Sequence, residues 1–291
     1  MLFFPTLTTP YFKTGRLTKL AAAVESIYLK LIRGSSLDFI KARHFLYRYY
    51  IVKQDPASWD LLDRVGRIRT EEFAKRLIGH GGRENHYPRR LDYVYQRLRT
   101  GFYVHLFGIR PTPFSDTEVS LIAKSLFAAD GYWRLHTYRA ICIVFYLYFQ
   151  QKVNLIAAAE EKFTRVFSSR QTSDIRNYVY GLTHFIICGT NFYQLPPPPK
   201  YQKYLAEIHR QKSNIPPEWI DLILETALAG KFYGQQIWSA AELEKIIQLR
   251  LVRDNGGTYI GGRLGGINRS EHVNALLILL VNDWQFLLRS I

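Results

Sequence analysis

The sequence is poor in cysteine, methionine, acidic side chains and long apolar runs. Its two cysteines, Cys142 and Cys188, both lie inside apolar stretches. They fit reduced thiols in a core better than a disulfide framework or a cysteine-rich metal site, and point to a reducing compartment. The longest apolar runs, Ala140–Phe149 and Ala275–Val281, fall well short of the roughly 20 residues that cross a bilayer, so no membrane span is expected. The opening MLFFPTLTTPYFKTG is apolar but carries Pro5 and Pro10 and lacks a basic start. It does not read as a secretion signal, and a cytoplasmic location is expected. Strict alternation of apolar and polar residues is almost missing, which leaves little room for half-buried strands.

Positive charge and aromatic rings are abundant instead. Thirty-nine Lys and Arg face 24 Asp and Glu, for a formal charge of +15, and 15% of residues are Phe, Trp or Tyr. A surplus of this sign attracts anionic small molecules or polyanions, nucleic acid among them. Tyrosines beside arginines can stack bases while the arginines hold phosphates; the same tyrosines can fill helix interfaces and leave their hydroxyls wet.

Helical periodicity dominates. About twelve segments are predicted, near Thr14–Ile32, Ser36–Gln54, Pro56–Ile78, Arg89–Phe107, from Ser115, Tyr132–Gln150, Val153–Phe167, Ser173–Cys188, Tyr201–Gln211, Pro217–Ala229, from Ser239, and Ser270–Leu288. Ser115 with Glu118 and Ser239 with Glu242 have capping-box spacing. Pro217 suits the first position of a helix. The Pro196–Pro199 run reads as a stiff connector. No linker long enough to separate domains stands out, so residues 1–291 are read as one all-α domain. Short connections imply antiparallel neighbours, arranged as an α/α toroid of helical hairpins or as an irregular multi-helix bundle.

A few polar residues sit where apolar ones belong. Tyr180, His184 and Ile187 share a helical stripe, with Asn177 one turn back. Asp221 and Glu225 are one turn apart in a helix otherwise built of Trp, Ile, Leu and Ala. A buried carboxylate there calls for a basic partner, a proton or a metal. His272 opens the most apolar helix, where the helix dipole disfavours a charged ring and suits a base or a metal ligand. Arg134 and His136 open another apolar helix. If alternate helices form one ring, then His105, His136, His184, Asp221, Glu225 and His272 share it. The loop DNGGTYIGGRLGGINR, with Arg263 and Arg269, leads into the helix of His272; its glycines let backbone approach a ligand and its arginines can hold an anion.

DGYWRLHTYRA, YGLTHFI, IDLILETAL and EHVNALLILL, within about Asp130 to Leu280, resemble landmarks of uncharacterised bacterial all-helical, toroid-like domains. The resemblance implies a grouping of His184, Glu225 and His272 and adds no reaction. Two functions follow. One is an enzyme, a hydrolase or a lyase, acting on an anionic small molecule or carbohydrate. Its catalytic residues would be His184, Glu225, His272, Tyr180 and Asp221, with Arg134, His136, Asn177, Arg263 and Arg269 binding substrate. His184, Glu225 and His272 would bind zinc or ferrous iron, or work without metal by acid-base chemistry. The other is a helical nucleic-acid-binding or interaction protein without catalysis, resting on Arg89, Arg90, Arg97, Arg99 and Arg110 interleaved with Tyr93, Tyr95 and Tyr103.

Overall fold

The computed structural model describes residue 12 and residues 14–81, 91–168, 175–254, 257–262 and 266–286. Among them are twelve α-helices: α1 (Gly15–Arg33), α2 (Phe39–Lys53), α3 (Pro56–Gly81), α4 (Leu91–Leu106), α5 (Asp116–Ala128), α6 (Asp130–Gln151), α7 (Ile156–Val166), α8 (Ile175–Gly189), α9 (Gln202–Gln211), α10 (Ile220–Phe232), α11 (Ala240–Gln248) and α12 (Glu271–Val281). The protein is all-α, with one small hairpin, β1 (Leu251–Asp254) and β2 (Gly257–Ile260). No helix among the described residues is long and apolar enough to cross a membrane.

Several boundaries follow from local chemistry. Ser115 and Ser239 each accept from the backbone N–H three residues on, while Glu118 and Glu242 reach back to the cap backbone, completing both capping boxes. Thr14 caps α1 through the N–H of Leu17. Gly108 takes a positive φ of 75°, and Ile109 N–H bonds Val104 O at 3.1 Å, the turn that ends α4.

Several segments differ from expectation. Helix α10 begins at Ile220, and Pro217 lies in the turn before it. Helix α12 ends at Val281 rather than Leu288, because Lys231 Nζ donates to the carbonyls of Leu279 at 2.8 Å, Leu280 at 3.1 Å and Asn282. That ammonium, only 1% exposed, supplies donors to carbonyls left unpaired at a helix end. The glycine-rich stretch begins as a hairpin, in register Leu251 to Ile260 and Asp254 to Gly257. Its turn sequence Asp254-Asn255-Gly256-Gly257 is the local signal for such a hairpin.

The chain forms two compact units, one drawn from residues up to Gly66 and from Tyr193 onward, the other from Arg67–Phe192. In the first, α12 packs against α1, α2 and α10. Every residue from Val273 to Val281 is buried, which explains a helix that is apolar on all faces. Each fully buried Leu or Ile there stabilises by about 1.5–3 kcal/mol relative to exposure. In the second, α6 plays that part against α4, α7 and α8, with Ala140–Leu147 buried throughout. Cys142 and Cys188 meet inside this unit, their sulfurs 3.5 Å apart and both buried as free thiols.

Candidate active site

In the first unit, α10 and α12 place Glu225 and His272 against each other. Glu225 lies one turn into α10, where Leu222–Phe232 are all buried, and its own side chain is 3% exposed. His272 sits in the first turn of α12 with its ring 42% exposed, and Nε2 is 3.1 Å from Glu225 Oε1. From α2, Arg48 brings Nη2 to 3.3 Å from the other ring nitrogen, Nδ1, and Nη1 to 3.5 Å from Oε1 of Glu271.

Elementary hydrogen-bond rules assign the proton. A guanidinium has only donors, so Nδ1 accepts from Arg48. Nε2 then carries the hydrogen and donates to the Glu225 carboxylate. The buried carboxylate thereby gains a donor, which it needs away from water. Glu271, 6% exposed at the start of α12, is favoured there by the helix dipole and balances Arg48.

A second polar network fixes the chain around this dyad. Asn274, one turn after Ser270, accepts from Ile260 N–H at 3.0 Å and donates to Ile260 O at 2.8 Å, so its amide pairs with β2 like a short strand. Ser270 Oγ accepts from Gly262 N–H and donates to Gly266 O, both at 2.8 Å. Tyr28 donates to Ile267 O at 2.6 Å. Burial and the neighbouring Glu271 carboxylate push the Tyr28 hydroxyl well above its usual range, so it stays a donor. These bonds tie the hairpin and the turn Ile267–Arg269 to the opening of α12. Arg269 is exposed in that turn and Asp221 is half-buried one turn before Glu225. Arg263 lies outside the described residues.

The remaining expected site residues belong to the second unit. His184, on α8, has Nδ1 at 2.9 Å from Tyr180 O; a carbonyl only accepts, so this nitrogen carries the hydrogen. The ring stands 5.4 Å from that of Tyr138 and 6.1 Å from that of Tyr180. His136 interrupts α6 with φ −134° and ψ 38°, and its ring lies 5.3 Å from that of Tyr132. Arg134 and Asn177 are half-buried on α6 and α8. Among the described residues, no group of three or more His, Cys, Asp or Glu is arranged to hold a metal ion. Of the three side chains expected to share one, Glu225 and His272 are in contact.

Arg48 was not singled out by the sequence. Arg139 donates to Asp92 Oδ1 and to Tyr138 Oη, each at 2.7 Å. Burial pushes the Asp92 carboxyl upward, but the bond and charge of Arg139 bring it below the usual range. Only its place in the aromatic-basic helix α2 marks Arg48, and no spacing ties it to His272. Several side chains of the Arg-Tyr segment take part in packing, while Arg110 is exposed and Arg89 and Arg90 lie outside the described residues. Tyr95 and Tyr103 are buried, Tyr93 donates to Leu77 O at 2.8 Å, and Arg97 lies 3.8 Å above the Phe114 ring while pairing with Glu118 at 3.1 Å. Compared with protein-family models, with curated proteins and with solved structures, the chain has no match in any of the three.

Proposed function

We propose that the protein is an enzyme acting on an anionic small molecule or acidic carbohydrate by acid-base chemistry at Glu225 and His272. The observation that carries the reading is a buried carboxylate 3.1 Å from a histidine ring that solvent reaches. A buried acid facing an accessible imidazole is the pairing that orients the ring and stabilises it once protonated.

In this reading Arg48 has two positions. At rest it donates to Nδ1 of His272. An anionic substrate draws the guanidinium to itself, since charge-assisted bonds to an anion are stronger than a bond to a neutral ring. Nδ1 is then open to take a proton from the substrate or from a water. The proton on Nε2 stays shared with Glu225, whose charge stabilises the imidazolium. Glu271, 3.5 Å from Nη1, keeps the guanidinium close to the site, and Arg269, exposed on the preceding turn, offers a second cation. Protonation of His272 and loss of a substrate proton balance, and the same proton returns to the leaving group or product.

The test is a panel of citrate, galacturonate and inorganic phosphate, scored for thermal stabilisation and then for turnover. Stabilisation by at least one member that disappears in Arg48→Ala is expected. Turnover should fall roughly 10²–10⁴-fold in His272→Gln and Glu225→Gln, the range typical of losing a general base. Turnover unchanged in both variants would remove the assignment.

A further inference from the structure

The second unit contains a cavity of about 250 Å³ between the C-terminal part of α3, helix α4, the Ile109–Phe114 connection and the end of α6. We infer that it is a binding site for a small carboxylate with an apolar body, independent of the chemistry proposed for Glu225 and His272. At roughly 30 Å³ per water-sized group, the space holds a molecule of about eight heavy atoms.

The lining has two characters. Leu77, Leu98, Val104, Ile109 and Pro111 give it an apolar wall, of the kind that dominates small-molecule sites. Lys75, Arg97 and Arg110 face a single lining carboxylate, Glu71, so the polar part favours one negative charge. Arg97 is fixed: its guanidinium lies over Phe114, pairs with Glu118 and donates to Pro113 O at 3.2 Å. Its charge is offset by Glu118, so it shapes the wall and leaves Lys75 and Arg110 to meet an anion. Lys75 and Arg110 are exposed and their flexible stems can close on an anionic head.

The space is kept open by particular residues. Gly101 lies in α4, and a Cβ there would come 2.7 Å from Gln150 Oε1 and 3.5 Å from Pro111 Cβ. Any side chain at this position would push into the lining. Gln150 is itself anchored, donating from Nε2 to Leu98 O at 2.8 Å. Gln151 accepts from Phe114 N–H at 3.2 Å, which secures the connection to the end of α6. A glycine in the middle of a helix costs about 1 kcal/mol relative to alanine, and the close approach of Gln150 and Pro111 accounts for it.

An apolar body with one charged end matches this lining better than a phosphate. Two exposed cations opposed by Glu71 leave a single net charge at the accessible edge, whereas a dianion lying against the apolar wall would lose much of its hydration without replacement.

The experiment is a titration of the full chain with hexanoate and, separately, with hexan-1-ol, followed by two-dimensional NMR at fixed ionic strength. Hexanoate is expected to bind in the millimolar range or tighter, as fits a ligand of this size, and about tenfold more tightly than the alcohol. In the double variant Lys75→Ala and Arg110→Ala, hexanoate should fall to the affinity of the alcohol while the alcohol is unchanged. Ile109→Trp should fill the space and remove both. Equal binding of acid and alcohol to the native chain, or no binding of either, overturns the proposal. Hexanoate binding that survives the double variant and vanishes in Arg48→Ala overturns it too, by placing the ligand at the histidine site. If Ile109→Trp fails to fold, the double variant alone decides, because both of its positions are exposed.

Discussion

Glu225 on α10 and His272 on α12 lie 47 positions apart in sequence and meet with Oε1 and Nε2 3.1 Å apart, one side chain buried and the other half open to water. Substitutions on the two sides should therefore behave differently. His272→Ala removes a donor from a carboxylate that water does not reach, and is expected to lower stability by about 1–3 kcal/mol. Glu225→Gln keeps an oxygen able to accept from Nε2–H, and should cost under about 1.5 kcal/mol. Urea unfolding of the two variants measures both. Equal costs would show that the pair does not depend on the donor from His272.

Lys231 makes a second prediction. Its ammonium is nearly inaccessible and donates to the carbonyls of Leu279, Leu280 and Asn282, 5.7 Å from the centre of the Trp284 ring. Lys231→Met keeps the length and apolar stem but leaves those acceptors without this donor. A loss of about 2–4 kcal/mol is expected, combining several charged hydrogen bonds, together with faster amide exchange at the end of α12. Unchanged exchange there would mean that Trp284, which donates to Leu279 O at 2.8 Å, holds the terminus by itself.

Acid should destabilise the protein in two windows. Burial pushes Glu118 and Glu242 upward, but the bonds from Ser115 and Arg97 and from Lys212 and Ser239 outweigh it, so both carboxyls lie below their ordinary value of 4.5. A depressed carboxyl binds its proton less readily in the folded chain than in the unfolded one. Its stabilisation is present above pH 4.5 and is lost as pH falls through the folded value. His105 is lowered from 6.5 by burial and then by the charge of Lys152, so the unfolded chain also takes up this proton first. Stability should begin to fall below pH 6.5. Urea midpoints measured against pH should lose the upper window in His105→Gln. Ser115→Ala and Ser239→Ala should each cost about 1 kcal/mol at neutral pH and flatten the lower window.

Both capping boxes were legible because Ser and Glu three residues apart satisfy one another locally, with no help from the rest of the chain. The all-round apolar run of α12 was legible as a central helix, since only enclosure explains such a pattern. The carboxylate of Glu225 stood out for the same reason, an ionisable group among Leu and Ala. Its partner His272 was singled out separately, and their contact depends on how α10 packs against α12. Arg48 was hidden because arginines are common in this basic chain and its role comes from a contact 224 positions away in sequence. The hairpin Leu251–Ile260 is not among the expected elements, because its glycines are read as a ligand-approaching loop, although Asn255-Gly256 between two short apolar runs specifies a reversal.

Gly181 provides the sharpest test of packing in the second unit. It sits in the middle of α8, where a Cβ would lie 2.2 Å from Cε2 and 2.8 Å from Cζ of Phe163. Real Cβ atoms do not approach so closely, so either Phe163 or the helix must move. Phe163 is buried and in ring contact with Phe167, Tyr178 and Phe185, with centroids 5.0–5.4 Å away, so it has little room to turn. Gly181→Ala would gain about 1 kcal/mol from helix propensity and lose more to overpacking, of order 1–3 kcal/mol or above. A net loss is expected. Phe163→Leu removes the clashing edge and costs stability by itself through the space it opens. The two changes together should then cost less than the sum of their separate effects, by at least about 1 kcal/mol. A double-mutant cycle from urea unfolding measures this coupling, and additive costs would show that α7 and α8 yield elsewhere than at this contact.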